Sequence, residues 1–265
     1  MPKKGHSVRR CDFFGQPPVG IFGPSGPSAP RHTALARHMS FELDDIVPWG
    51  RSFEEYRRMF ALSPEDLSER LIGCGDGPAS FNAEATRRDV SVVSVDPLYA
   101  FSADAIKERI EDTHDEVLQQ LLQNQEDFVW TDAKRPERLV QKRLETMDIF
   151  LDDYRRSKNT SRYVAGTLPT LPFADGAFDL ALCSHLLFLY SDQLGAPFHI
   201  DSIREMLRVA REVRVYPLLT LEGTRSPHVE AVLQFCREQG QSAERVPVDY
   251  EFQRGADHML VVHRG

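Results

Sequence analysis

Gly73, Gly75 and Gly77 fall within five positions of the stretch "LIGCGDGPASF" at 71–81, directly after an apolar pair and just before Pro78. Glycine has no Cβ, so such a cluster allows turns closed to other residues and lets a ligand lie against the main chain. Asp96 closes the β-branched run "VSVVSVD" at 90–96. A carboxylate at the end of a strand beside a glycine turn is placed to accept the two hydroxyl hydrogens of a ribose. A phosphate-binding P-loop is excluded, because no Lys-Ser/Thr pair follows the glycines. The dinucleotide fingerprint Gly-x-Gly-x-x-Gly is not met either, since the spacing here is Gly-x-Gly-x-Gly.

These residues need a strand before the glycines, a helix after them and a second strand ending at Asp96. The sequence predicts that order: a short strand through Leu71-Ile72, a helix from about Ala79 to Arg88, then the strand at 90–96, which together make a βαβ unit. Upstream, Ser52-Phe53-Glu54-Glu55 is a capping box opening a helix with Phe53, Tyr56, Met59 and Phe60 on one face, and Ser63-Pro64 predicts another short helix. Between 102 and 158, Ile106, Ile110, Val117, Leu121 and Leu122 recur at helical spacing. After a break near Pro136, Leu139, Leu144, Met147, Leu151 and Tyr154 do so again. Two amphipathic helices are thus inserted after the second strand, as added scaffold or as a lid or dimer surface. Strands resume at "RYVAG", "FDLALCS", "EVRVYPLL", "SAERVPVDY" and "HMLVVHR", with helices at about 201–210 and 227–238, the latter capped by Ser226-Pro227. The expected fold class is α/β: a mostly parallel sheet with helices on both faces, an antiparallel C-terminal hairpin and a helical insertion after the second strand.

The chain has 265 residues, 32 Lys/Arg against 40 Asp/Glu, and a formal charge of −8. That balance argues against a broad nucleic-acid footprint. The apolar run from Leu180 to Leu189 is broken by Cys183, Ser184 and His185 and falls far short of the roughly 20 residues of a membrane span. Cys11, Cys74, Cys183 and Cys236 form no C-x-x-C pair, so neither a zinc site nor a disulfide framework is expected, and a reducing cytoplasm is the simplest setting. Residues 1–38 hold six prolines, five glycines and six Lys/Arg against Asp12 alone, the composition of a disordered extension. Globular patterning starts at Met39, which is read as the natural start, with the domain at 39–265.

"IGCGDG" with Asp96 resembles the first motif and the ribose-binding acid of the class I S-adenosylmethionine-dependent methyltransferases. "GTLPTLPFADGAFDLALCSHLLFLY" at 166–190 is similar to the family stretch that passes the adenine pocket into the fourth strand. The resemblance implies a Rossmann-like seven-stranded sheet with a reversed last strand and S-adenosylmethionine as cofactor. It carries cofactor contacts to Gly73, Cys74, Gly75, Gly77, Asp96, Thr167, Leu168 and Ser184. Two departures stand out: Leu71 replaces the family acid two residues before the first glycine, and Thr167 replaces the usual aspartate of the adenine stretch. Arg51, in a segment that often closes over the cofactor in this kind of fold, is a candidate partner for the methionyl carboxylate or a solvent-exposed arginine at a helix start.

Methyl transfer from a sulfonium is an in-line displacement that rests on positioning and needs a base only for a protonated acceptor. His185, immediately after the fourth strand, is the candidate base, with a structural role weighed against it; Tyr190 could bond substrate or simply pack. Arg254 is a candidate for an anionic substrate or a solvated hairpin arginine. The expected function is methyl transfer to a small molecule, without metal, membrane or nucleic acid, and with a homodimer through the inserted helices as a further expectation. The alternatives are aminocarboxypropyl transfer and non-catalytic nucleotide binding.

Overall fold

The computed structural model describes residues 49–131, 133–157 and 160–265; the expected extension at 1–38 and the start at Met39 lie outside the described residues. Seven strands, β1 (Arg70–Cys74), β2 (Ser91–Val95), β3 (Tyr163–Val164), β4 (Leu180–Ser184), β5 (Glu212–Tyr216), β6 (Ser242–Pro247) and β7 (His258–His263), form one sheet in the order β3-β2-β1-β4-β5-β7-β6. The first five run parallel, and β7 enters antiparallel between β5 and β6. This is the expected α/β architecture, reversed strand included.

Among the described residues six α-helices accompany the sheet: α1 (Phe53–Met59), α2 (Phe81–Thr86), α3 (Ala103–Gln123), α4 (Pro136–Ser157), α5 (Ala196–Val209) and α6 (Val229–Glu238). Because strand side chains alternate, β1 feeds both layers. Leu71 joins Val92, Leu180 and Leu182 against Tyr56, Phe60 and Phe81 of α1 and α2. Ile72 and Cys74 join Ala181 and Cys183 against Ile203, Met206 and Val232 of α5 and α6. β1 lies between β2 and β4, so successive crossovers diverge from it and leave a crevice at the carboxyl ends of the strands.

α1 starts as its capping box dictates, with Ser52 and Glu55 bonding each other's backbone amides. Other boundaries shift for local reasons. The break expected near Pro136 lies just before it: α3 ends at Gln123 and Pro136 is the first residue of α4, a position where its missing N–H costs nothing. The expected helix at Ser63-Pro64 is a 3-10 turn at Asp66–Ser68, in which the Ser63 and Asp66 side chains accept from each other's amides. α5 begins at Ala196, five residues before the expected start, because Gly195 and Pro197 suit a helix entry. α6 begins at Val229, where Ser226 Oγ accepts from His228 N–H.

The inserted pair packs on the β2–β3 side through Tyr99, Phe150, Tyr154 and Tyr163, whose ring centroids lie 5.3 to 6.0 Å apart. Its α3–α4 connection is tied to the β6–β7 connection: Val129 N–H donates to Phe252 O at 2.7 Å and Arg254 N–H to Asp127 O at 2.8 Å. Among the described residues no helix is long and apolar enough to cross a membrane.

Candidate functional site

The turn leaving β1 is built on left-handed backbone: Gly75 has φ +74° and Gly77 φ +53°. Gly75 N–H donates to Val95 O at 2.8 Å, which holds the turn against the end of β2. The three glycines differ in what covers them. A Cβ at Gly73 would overlap the Asp76 carboxylate, and one at Gly75 would meet Leu186 Cδ2 at 2.5 Å, whereas nothing lies within 4 Å of the Cβ position of Gly77. Bare main chain facing open space is therefore confined to Gly77, a narrower surface than an open cradle across 73–77. Cys74 is buried in the α5–α6 layer, and that burial pushes its thiol well above the ordinary range, which leaves it a core residue.

Asp96 stands where the spacing placed it, directly after β2. One carboxylate oxygen accepts from Gly77 N–H at 2.9 Å and the other from Leu98 N–H at 2.8 Å. Desolvation outweighs both bonds and pushes Asp96 up to about 6. A carboxylate has about four acceptor positions, so each oxygen keeps one free. Past β3, exposed Thr167 turns its hydroxyl to Leu168 O at 3.1 Å, while the Leu168 side chain is buried in the α5–α6 layer.

The sequence reading missed Asp76, which resembles an ordinary turn aspartate between glycines. It is buried, accepts from Tyr56 Oη at 2.7 Å and from Ser94 Oγ at 2.5 Å, and is pushed up to about 6 by burial. Ser94 Oγ accepts in turn from Asn82 Nδ2 at 3.1 Å, so α1, α2, β2 and the glycine turn share one hydrogen-bonded network. Nothing in the sequence signals that Tyr56 and Ser94 meet at this acid.

At the end of β4, Ser184 is buried and His185 adopts φ +53°, a conformation uncommon outside glycine. His185 N–H donates to Tyr216 O at 2.7 Å, its Nδ1 lies 2.8 Å from Ser184 Oγ, and its ring meets Tyr216 edge-on at 5.4 Å. Burial, followed by the charges of Arg51 and Arg143, holds the His185 pKa well below its usual value. The imidazole is therefore neutral at pH 7, and the same burial and positive charges disfavour its protonation. Tyr190 is buried in the 3-10 turn Phe188–Tyr190.

A buried charged cluster adjoins His185. Arg143 of α4 is fully buried and makes a fork of two 2.5 Å bonds to Glu55 of α1, with a further bond to Gly50 O at 3.2 Å. Tyr250 Oη donates to the same carboxylate at 2.9 Å. The capping-box acid thus serves three partners, and the arginine forces hold Glu55 far below the usual carboxylate range. A signal for Arg143 was present: it occupies the stripe of Leu139 and Met147 at fourfold spacing, on the face otherwise given to the core. Arg51 is 7% exposed, and Nη1 donates to Trp49 O at 2.7 Å. A cavity beside this cluster is lined by Glu55, Lys142, Arg143, Tyr250 and Phe252. Arg254 gives its guanidinium to the carbonyls of Glu126 and Phe128, so it fastens the α3–α4 connection rather than facing that cavity's lining.

No family model matches the chain. It is 32% identical over 225 residues to the uncharacterized protein MJ0045 of Methanocaldococcus jannaschii, a match covering 84% of this chain and 98% of that protein. Among solved structures it is similar to the PH0226 protein of Pyrococcus horikoshii OT3, at 10% identity over 80% of this chain and 89% of that one, with a TM-score of 0.46. It is also similar to magnesium protoporphyrin IX methyltransferase (ChlM) of Synechocystis PCC 6803, solved with bound SAM, at 11% identity over 80% and 91% of the two chains, with a TM-score of 0.41.

Proposed function

We propose that this chain, which belongs to the family of the uncharacterized protein MJ0045 of Methanocaldococcus jannaschii, binds S-adenosylmethionine at the carboxyl ends of β1 and β2 and transfers its methyl group to a small-molecule acceptor. The observation that carries this reading is the pairing of Asp96 with Gly77. The carboxylate is fixed by two backbone amides, retains an acceptor position on each oxygen, and lies beside Gly77, the glycine of the 73–77 turn whose Cβ position faces open space. That combination fits the vicinal hydroxyls of a ribose and the close approach of a nucleoside to main chain.

When bound, the cofactor supplies a methyl group on a positively charged sulfur. The chain's own residues divide the remaining work. Asp96 holds the sugar, Thr167 and Leu168 border the base, and Gly77 offers its main chain. Leu186 and Asp76 cover Gly75 and Gly73, so they set the floor of the site. In the tautomer whose Nδ1–H donates to Ser184 Oγ, Nε2 of the neutral His185 ring carries the lone pair open to an acceptor that arrives protonated, its basicity reduced by burial and by the charges of Arg51 and Arg143.

Calorimetric titration of the purified protein with S-adenosylmethionine, S-adenosylhomocysteine and NAD tests the reading. Binding of the two sulfur compounds without NAD is expected. Tight NAD binding with neither sulfur compound would move the protein to hydride chemistry. In turnover, release of S-adenosylhomocysteine marks methyl transfer, and release of methylthioadenosine marks aminocarboxypropyl transfer instead.

A further inference from the structure

Gly77 is the turn glycine open to a ligand, and nothing packs on its Cβ position to hold its left-handed backbone. Glycine has the widest conformational range of any residue, so other contacts must fix the two peptide planes that flank it. The structure supplies one for each plane. Gly77 N–H donates to Asp96 Oδ2 at 2.9 Å, and Gly77 O accepts from Tyr99 Oη at 2.8 Å. The two partners come from one short piece of chain, the 3-10 turn Pro97–Ala100 and its cap: the Asp96 side chain accepts from Leu98 N–H, and Asp96 O accepts from Tyr99 N–H at 3.2 Å. Burial, followed by the charges of Asp76 and Asp96, pushes the Tyr99 phenol well above its usual range, so it keeps its proton and remains a donor.

Tyr99 is itself held by the inserted α4. Its ring centroid lies 6.0 Å from that of Phe150 and 5.7 Å from that of Tyr154, and Tyr154 Oη shares its proton between Tyr99 O at 2.7 Å and Phe101 O at 3.0 Å. Phe150 and Tyr154 continue a buried stripe of α4 that begins with Arg143 and Met147, at spacings of four, three and four residues. The start of the stripe reaches the other flank of the turn. Arg143 Nη1 donates to Gly50 O at 3.2 Å, and Gly50 is seated so closely that a Cβ there would come within 2.2 Å of Pro78 O and 3.0 Å of Met147 Cγ. One face of α4 thus supports Gly77 through Tyr99 and Pro78 through Gly50. We propose that Tyr99 is a positioning residue for the nucleoside, fixing the Gly77 carbonyl beside Asp96, and that α4 holds it in place through Tyr154. This rests on the reading of Gly77 and Asp96 as a cofactor site.

The test uses the full chain with Tyr99→Phe, Tyr154→Phe, the double variant, and Tyr163→Phe, which removes a hydroxyl from the same aromatic cluster, but one that bonds Asp153. Calorimetry measures S-adenosylhomocysteine and methylthioadenosine, which share the nucleoside. Tyr99→Phe should lose about fivefold or more in affinity for both, the scale of one hydrogen bond, and Tyr154→Phe about two- to threefold, with Tyr163→Phe unchanged. Tyr154→Phe should cost nothing further in the Tyr99→Phe background. Equal affinities in wild type and Tyr99→Phe, a loss confined to S-adenosylhomocysteine, or an equal loss in Tyr163→Phe would overturn the role of Tyr99. An unchanged Tyr154→Phe, or a Tyr154→Phe loss that simply adds to that of Tyr99→Phe, would overturn the route through α4. A second measurement needs no ligand. Carbon-13 NMR follows the carboxyl titrations of Asp96 and its neighbour Asp76, both at about 6, assigned with Asp96→Asn and Asp76→Asn. The Gly77 amide pulls the Asp96 pKa down, so its release in Tyr99→Phe should raise the Asp96 midpoint by about half a pH unit, and an unchanged midpoint would overturn the proposal. Should neither nucleoside bind the wild type, the cofactor reading fails by itself, and the Asp96 midpoint still decides whether Tyr99 positions Gly77.

Discussion

Replacing Asp96 by Asn isolates the interaction on which the cofactor reading depends. In the folded chain the carboxylate accepts from Gly77 N–H at 2.9 Å and from Leu98 N–H at 2.8 Å, one on each oxygen. A bound ribose would add a hydroxyl bond to each oxygen. Hydrogen bonds to a charged acceptor contribute about 1.5–3 kcal/mol net, and the amide retains at best one of the two as an acceptor, now uncharged. Loss of about 2–4 kcal/mol is therefore expected, or on the order of 30- to 1000-fold in S-adenosylhomocysteine affinity. The variant also leaves one loop amide facing an NH₂ group, at a cost of about 1–3 kcal/mol to the turn. Acid should mimic the substitution. Asp96 in the folded chain titrates at about 6, and only its ionised form accepts both hydroxyls, so wild-type affinity should fall as pH drops through 6 while that of Asp96→Asn stays flat. Calorimetry with S-adenosylhomocysteine from pH 5 to 8 measures both effects. An Asp96→Asn protein that binds within threefold of wild type at pH 7.5 would refute the reasoning.

Gly75→Ala should destabilise by more than the roughly 1–2 kcal/mol of left-handed strain, because its methyl meets Leu186 Cδ2; Leu186→Ala in the same chain should recover the excess, and simple additivity in urea denaturation would contradict the contact. Glu55→Gln removes the counter-charge of fully buried Arg143 and should cost about 3–5 kcal/mol, whereas the double variant Glu55→Gln with Arg143→Met should lose less, as read by thermal melts. Asp76 titrates at about 6 when folded and near 3.8 when unfolded, so the folded chain holds a proton that the unfolded chain releases between those values. Its contribution is full below about pH 4 and is lost as pH rises through 6, on the order of 3 kcal/mol in all. Asp76→Asn should lack this component, so its stability relative to wild type should rise from pH 4 to pH 7; parallel denaturation curves would exclude the assignment.

What the sequence disclosed was local or periodic. The Ser52–Glu55 box bonds over three residues, the strand–glycine–helix–strand order repeats familiar spacings, and Asp96 is marked by Pro97 after a β-branched run. The hidden contacts join distant segments. Tyr56 meets Asp76 across 20 residues, Ser94 meets Asp76 across 18, and Arg143 meets Glu55 across 88. Composition and period report which face of an element is buried, and they are silent on which buried polar groups face each other. Arg143 is the intermediate case, since an arginine on an apolar stripe announces that a partner exists without saying which. The glycine turn shows the opposite limit: its spacing was legible, but that Leu186 and Asp76 would cover two of its glycines depended on the path of β4 and on a side chain folding back.

The departure at Leu71 has its explanation in that fold-back. The resemblance expects an acid two residues before the first glycine, but Leu71 is fully buried among Tyr56, Phe60 and Phe81, where an ionised carboxylate would lack partners. Asp76 brings a carboxylate to the turn from its other side, beneath Gly73, and α1 and β2 hold it through Tyr56 and Ser94. The residue next to Tyr56 is Glu55, which binds Arg143 of the inserted helices. Two consecutive side chains of α1 therefore fasten the glycine turn on one side and the insertion on the other. A displacement of α4 that carries Arg143 with it must either break a buried ion pair or pull on the helix that holds Asp76. The insertion is thereby coupled to the turn through a single short helix.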